Sequence, residues 1–417
     1  MDDIRLTILD PGHFHAALVQ KEMYTGVAPR VEVFAPLGSD VIAHLERVAR
    51  FNRRAQAPTR WELDVHAGPD FVERMAREHA GNVAVLAGKN RAKIGYIRAC
   101  LEAGLHVLAD KPWIIRTQDL PALKDVLALA RGKGLAAYDI MTERYEITSM
   151  LQKELVRDAD VFGTIEHGTE GEPGVRMESM HNILKFVAGA PLTRPTWFFD
   201  IEEQGEALTD VGPHLVDLTQ WTLFADEAID YRADVDVLGA VRRPLRVTKE
   251  QFRQVTGEPG DGLDYYCDTE VSYTLRGVHV ALRAAWQWEA VKGGGDTHFA
   301  VYRGTRADIE VRQGEEEQYR PELYVVPKEP GAREAAMHKV AALSTRYAGI
   351  DIEDQGARLK VTIPDQHRVG HEAHFAQVAR AFFEFVRGTR AMPAWEEPDM
   401  LAKYYTTTRG VELARVR

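Results

Sequence analysis

The chain is poor in cysteine. Among 417 residues there are two, Cys100 and Cys267, far apart and in no C-x-x-C pair. That excludes a disulfide framework and makes a reducing, cytoplasmic setting the expectation. Long apolar runs are also missing. No stretch approaches the roughly 20 residues that span a bilayer. The opening MDDIRLTILD has no basic segment leading into an apolar core, so neither a membrane anchor nor a leader is expected. There is no Lys/Arg-rich run, and 52 basic against 63 acidic residues leave a net charge of −11. A phosphate backbone is bound by clustered positive charge, so nucleic acid is an unexpected partner. No repeat and no low-complexity tract appears. With 45% hydrophobic and 28% charged residues, what remains is an ordinary globular protein, and its length fits two domains.

Residues 1–142 alternate short branched-aliphatic segments with amphipathic ones. Strands are expected at Arg5–Leu9, Val31–Ala35, Val83–Ala87, Leu105–Ala109 and Leu135–Ile140. Helices are expected at Gly38–Phe51, Pro69–His79, Lys89–Ala103 and Thr117–Gly132. This alternation predicts a doubly wound parallel α/β sheet, which takes its ligand beyond the carboxyl ends of the strands. From 143 to 417 the texture changes. Tyr231–Val241, Tyr265–Leu275, Val278–Glu289, Thr297–Tyr302 and Ala307–Arg312 alternate with period two and are rich in aromatics and Thr. They predict a large, mostly antiparallel open sheet, accompanied by helices at Pro213–Leu223 and His371–Arg387. Residues 313–369 carry little pattern.

Three stretches carry chemistry. In LTILDPGHFHAALVQ (Leu6–Gln20) an apolar strand runs into a turn and a helix-like segment, as at a dinucleotide site. The G-x-G-x-x-G positions are held by Asp10, Gly12 and His15. In ADKPWIIR (Ala109–Arg116) a strand ends in Asp110-Lys111-Pro112, which sets a lysine at the ligand edge of the sheet. A solvated charge pair explains that stretch equally well. In GEALTDVGPHLVDLTQW (Gly205–Trp221), a helix opening at Pro213 puts His214 and Asp217 on one face with Asp210 just before it. An Asp and a His at a helix entrance can share or orient a proton, although capping by Asp210 and a satisfied histidine is the plainer account. His214 with Asp217, or His13 with His15, have metal-ligand chemistry. No third ligand at a known spacing joins either pair, so no metal is expected.

In order, D-K-P at a strand end and D-x-G-x-H-x-x-D ahead of a large open sheet resemble the Gfo/Idh/MocA oxidoreductases. The marks are Asp110-Lys111-Pro112, with Asp where the family has Glu, and Asp210, Gly212, His214 and Asp217. Leu101–Leu108 and His374–Val386 extend the likeness over essentially the whole chain. The resemblance implies a dinucleotide-binding domain (1–142) and a substrate-binding and oligomerisation domain (143–417). It implies NAD or NADP as cofactor, with NAD favoured, bound by Gly12, His13, Phe14, Asn90, Asp110 and Lys111. Lys111 would assist proton loss from a substrate hydroxyl, His214 would be the general acid/base, and Asp210 would bind substrate or orient the pair. Arg144, His181, Lys185 and Asp217 are candidate substrate contacts, with Glu166, Trp197 and Trp286 beside them; a helix would put His181 and Lys185 on one face. The implied reaction is hydride transfer at a ring hydroxyl or ketone of a sugar, glycoside or cyclitol, such as glycoside 3-dehydrogenation. Alternatives are net glycoside hydrolysis by transient oxidation and elimination, or a sugar- or nucleotide-sensing protein. A homo-oligomer, dimer or tetramer, is expected through the open sheet.

Three departures from the pattern stand out. Asp10 and His15 replace glycines. The second strand ends Val33-Phe34-Ala35-Pro36 without the acid that holds a ribose, for which Ser39 or Asp40 is the nearest substitute. Gly88-Lys89-Asn90-Arg91 replaces Pro-x-x-x-His after the fourth strand.

Overall fold

A computed structural model describes residues 3–187 and 190–416. The chain divides into two units. The first comprises residues 1–142 together with 197–205 and 371–397, and the second comprises 143–196, 206–370 and 398–417. Sequence reading assigned everything after 142 to the second domain, and the two short returns to the first unit had no signature.

Six parallel strands build the first unit: β1 Leu6–Leu9, β2 Arg30–Ala35, β3 Glu62–Ala67, β4 Val83–Leu86, β5 His106–Asp110 and β6 Ala137–Ile140. Their order, β3-β2-β1-β4-β5-β6, is that of a doubly wound sheet, whose winding reverses between β1 and β4. β1, β4 and β6 are buried along their full length, as expected of strands covered on both faces. Four strands and four helices lie within a few residues of expectation, as does the shorter β6. β3 was missed because Glu62-Leu63-Asp64-Val65-His66-Ala67 is a half-exposed edge strand with alternating polar residues. The helix after β1 is brief, His15–Val19, so it offers little of the N-terminal dipole expected there.

The second unit holds β7 Val175–Asn182, a small ribbon of β8 Phe186–Val187 and β9 Ala190–Pro191, and then β10 Val235–Val247, β11 Leu263–Leu275, β12 Val278–Gln287, β13 Thr297–Arg303, β14 Ala307–Gln313, β15 Glu322–Pro327, β16 Asp351–Asp354 and β17 Leu359–Thr362. Nine of these form one sheet, β10-β11-β12-β7-β13-β14-β15-β17-β16, antiparallel except where β7 pairs with β12. The weakly patterned 313–369 supplies three of its strands and a helix, Pro330–Leu343.

One face of the sheet is the core. Along β11, Tyr265, Cys267, Val271, Tyr273 and Leu275 alternate inward, against helices that include Ile147–Val156 and Gly212–Leu223. The other face is charged. Arg176 meets Glu178 at 2.6 Å, while Arg283 meets Asp268 and Arg243 meets Glu270, both at 3.0 Å. Among the described residues, no helix is long and apolar enough to cross a membrane.

Candidate active site

In the first unit the turn after β1 is tightly determined. Asp10 donates its amide to Phe34 O at the end of β2 (3.0 Å) and takes a φ of +47°. That left-handed conformation is what a glycine at this fingerprint position supplies, and Asp is among the few other residues that tolerate it. Gly12 and His13 donate their amides to Asp10 O (2.8 Å) and Ala87 O (2.9 Å). Gly12 is closely surrounded: a Cβ would stand 3.2 Å from Asp40 Oδ2 and 3.3 Å from Trp197 Cζ2, so those side chains would have to give way. Gly88 is tighter still, with Asp10 O 2.2 Å from its would-be Cβ. In the helix that follows β2, Ser39–Arg53, Asp40 accepts a 2.9 Å hydrogen bond from Trp197 Nε1.

Acids crowd this turn. Burial pushes the Asp10 carboxyl up to about 6; Lys89 works against that rise, while Asp40 and Glu203 add to it. The Asp40 carboxyl is likewise raised by burial, against its hydrogen bond from Trp197. Asn90 is buried and pinned. Its amide donates to Glu203 O (3.0 Å) and its side chain to Gln204 O (2.7 Å).

At the carboxyl end of β5, Asp110 is buried and accepts from His15 Nδ1 at 2.7 Å, with His13 Nδ1 at 3.7 Å. Lys111 is half-buried, and its peptide bond to Pro112 is cis. A wholly buried lysine braces this corner: Lys93 Nζ donates to Asn90 Oδ1 (2.6 Å), Asp110 O (3.0 Å) and Pro112 O (3.1 Å). Sequence reading missed Lys93, which precedes an apolar helical face and looks like surface charge.

In the second unit, Asp210 closes the short helix Ala207–Asp210, and His214 lies in the first turn of Gly212–Leu223. Gly212 lets the two helices meet, because a Cβ there would lie 2.8 Å from Leu208 Cδ1. Asp210 is buried and His214 half-buried. Asp217 faces inward on the second helix. Arg144 grips it twice, at 2.6 and 2.7 Å, and Lys403 reaches it at 3.0 Å. Burial alone would raise the Asp217 carboxyl, but the two cations outweigh that and hold it far below the usual range. Two residues expected to touch substrate, Arg144 and Asp217, therefore bond to each other.

His181 and Lys185 would share a face only if their segment were helical, and it is not. They lie instead at the end of β7 and in the turn beyond it, where the alternation of Val175–Asn182 is that of a strand. They still meet, through Asp296: Lys185 Nζ lies 2.5 Å and His181 Nδ1 3.1 Å from its Oδ2. Asn182 donates to its Oδ1 from both backbone and side chain. Burial would raise the Asp296 carboxyl, and His181 and Lys185 drive it well below its ordinary value. Beside them Arg194 lies over the Trp286 ring at 5.0 Å and donates to the carbonyls of Asn182 and Ile183, and Trp286 stands 5.1 Å from the His181 ring. Electrostatically, Asp210 acts on both Arg194 and Tyr265. Arg194, Trp286, His181, Asp296 and Lys185 thus form one polar cluster, and Asp210 acts on its Arg194 electrostatically. Arg194 and Asp296 were missed, being single charges in irregular segments. Glu166 lies apart from this cluster. Its amide bonds to Arg303 O beside the start of β7, and its carboxylate bonds to Lys328. Trp197 belongs to the first unit.

Comparison with known proteins agrees with this architecture. The family model described as "Putative oxidoreductase C terminal domain" matches residues 151–415. A crystal structure of a "putative oxidoreductase" from Parabacteroides merdae is 42% identical, covers 100% of this chain and 98% of its own, and superposes with a TM-score of 0.96. Two more distant structures share the fold at 16% identity. They are KijD10, a 3-ketoreductase from Actinomadura kijaniata in complex with NADP and TDP-benzene (98% and 97% coverage, TM-score 0.60), and GenD2 from gentamicin A biosynthesis in complex with NAD (100% and 95%, TM-score 0.59). No curated protein sequence matches. With a Rossmann-ordered sheet, D-K-P at its ligand edge, an open-sheet unit and a family match over more than half its length, the chain belongs to the Gfo/Idh/MocA family of oxidoreductases.

Proposed function

We propose that this protein is a nicotinamide-dependent dehydrogenase or reductase acting on a ring hydroxyl or ketone of a sugar, glycoside or cyclitol. The observation that carries the reading is the position of Lys111, one residue beyond the carboxyl end of β5 in a sheet of β3-β2-β1-β4-β5-β6 order. The residues of the β1 turn fit a dinucleotide. Asp10 holds the left-handed backbone of the fingerprint's first glycine, and Gly12 presents no side chain. Asp40, beside Gly12, is placed to accept from ribose hydroxyls and to repel a 2′-phosphate, which favours NAD over NADP. KijD10 and GenD2, whose structures hold NADP and NAD, are distant support.

A bound nicotinamide would supply the hydride acceptor or donor. The chain's own residues handle the proton and the substrate. Lys111 stabilises the alkoxide that forms as a hydroxyl loses its proton. In the second unit, His214 has the chemistry of a general acid or base and Asp210 that of a residue orienting it. Arg144, Asp217 and Lys403 lock the helix that carries His214. His181, Lys185 and Asp296, beside the Trp286 ring, offer alternating donors and acceptors along an aromatic face, a chemistry suited to a polyol ring.

The test is to denature protein purified without added nucleotide, identify what is released by mass spectrometry, and titrate NAD and NADP into the emptied protein. Lys111→Ala should keep nucleotide affinity within a few-fold and lose at least 100-fold in turnover of a polyol panel. If neither nucleotide is recovered or bound, the reading fails.

A further inference from the structure

We propose that His13, His15 and Asp110 form a binding site for a divalent transition-metal ion of the zinc type. Their donor atoms lie within 4.8 Å of one another, the one such group among the described residues. They come from two elements of the same unit, the β1 turn and the carboxyl end of β5, and the separation of 95 positions between His15 and Asp110 hides the set from any sequence spacing.

Three features set the cluster apart from a satisfied carboxylate. First, two imidazoles converge on a single oxygen: Asp110 Oδ2 lies 2.7 Å from His15 Nδ1 and 3.7 Å from His13 Nδ1. One hydrogen bond is enough to stabilise a buried Asp. A second ring held at 3.7 Å exceeds hydrogen-bonding distance and approaches the spacing between neighbouring ligands of a bound ion. Second, the rings are fixed. His13 and His15 meet edge to face at 4.0 Å between centroids, and His15 packs on Phe375 at 4.6 Å. Third, access is graded: the His15 and Asp110 side chains are 8% and 5% exposed and that of His13 is 19% exposed. An ion could enter past His13 and then be held largely out of water.

Two imidazoles and a carboxylate suit Zn²⁺, Fe²⁺, Co²⁺ or Ni²⁺ rather than the oxygen-seeking Mg²⁺ or Ca²⁺. Three protein ligands leave a position open for water or a substrate oxygen. On binding through Nδ1, a neutral His15 shifts its Nδ1 proton to Nε2 with no net release, whereas a protonated imidazole must give one proton to solvent. Protons therefore compete with the ion for the imidazoles, and affinity rises with pH. Asp110 adjoins Lys111, so an ion here would add positive charge at the ligand edge of the sheet. The inference does not depend on the oxidoreductase reading, because metal binding is measured without turnover.

The experiment is calorimetric titration of chelator-treated, full-length protein with Zn²⁺, paralleled by visible spectra on adding Co²⁺. One equivalent is expected to bind with micromolar or better affinity, more tightly at pH 8 than at pH 6. The cobalt bands should be those of nitrogen and oxygen ligands, without thiolate charge transfer. His13→Ala and Asp110→Asn should each weaken binding at least 30-fold while circular dichroism stays unchanged. Absence of binding to the parent protein, a thiolate band implicating Cys100 or Cys267, or folded variants that bind like the parent would each overturn the proposal.

Discussion

Asp10 is the residue at which the fold and the cofactor make opposite demands, and replacing it with asparagine separates them. Asn keeps the short polar side chain that tolerates a φ of +47° and removes only the charge. The Asp10 carboxyl rises from 3.8 to about 6 in the folded chain, chiefly through burial. The native protein therefore holds a proton that the unfolded chain has lost, and its stability falls as pH climbs between those values. A shift of about two pH units corresponds to about 3 kcal/mol at most. Below pH 4 Asp10 is protonated in both states and this term vanishes; above pH 6 it is complete. Asp10→Asn should thus match the parent near pH 4 and exceed it by about 1–3 kcal/mol at pH 8, a gain of several degrees in the melting of the first unit. The assay is paired calorimetric melts at pH 4.5, 6 and 8, with NAD titrations alongside. A diphosphate beside Asp10 favours its protonated form, so the parent's NAD affinity should decline above pH 6 and the variant's should not. Equal melting differences at all three pH values, or parallel affinity profiles, would refute the reasoning.

Other substitutions test the rest of the site. Asp217→Asn leaves the buried Arg144 and Lys403 without their counter-charge and should cost about 3–5 kcal/mol by chemical denaturation. Because the folded Asp217 carboxyl is held far below its unfolded value, the parent should keep this contribution at neutral pH and lose it only as pH falls below about 4. Gly88→Ala drives a methyl group into Asp10 O and should destabilise the first unit by about 1–3 kcal/mol, with nucleotide affinity falling at the same time. Asp40→Ser, which removes the carboxylate beside Gly12, should raise the ratio of NADP to NAD affinity at least 10-fold in direct titration. Asp296→Asn loosens His181 and Lys185 together. It should raise several-fold the KM for a substrate that the protein turns over, with little change in kcat, as read from initial rates.

Those parts of the fold that announce themselves locally were legible in the sequence. The aliphatic runs of β1, β4 and β5 are buried on both faces and can read no other way. The alternation of β11 from Tyr265 on, and of β12 as far as Ala284, matches their half-buried pleat. His371–Arg387 was placed at its observed ends because its apolar stripe is continuous. The failures share one cause, which is that tertiary partners override local pattern. β3 is polar because it is an edge. Val175–Asn182 mixes Arg, Glu and His because its outer face is charged, so no strand was expected there. The 197–205 and 371–397 segments join the first unit through contacts no window of sequence contains. The D-K-P and D-x-G-x-H-x-x-D motifs were readable as motifs, whereas Lys93, Arg194 and Asp296 became visible only with their partners.

The same contrast bears on how far a degenerate fingerprint should count against a dinucleotide site. G-x-G-x-x-G records backbone needs rather than glycine as such: a left-handed turn, a close approach and a tight helix entry. Here the first need is met by Asp10 at φ +47° and the second by Gly12, and the third is relaxed because the helix that follows is only His15–Val19. What Asp10 cannot reproduce is neutrality, and the burial that holds it in the turn also raises its carboxyl toward the protonated, phosphate-tolerant form. The backbone requirement therefore survives the loss of two glycines, and the electrostatic one becomes conditional on pH. A search that scored only the glycines would discard a turn whose geometry is intact.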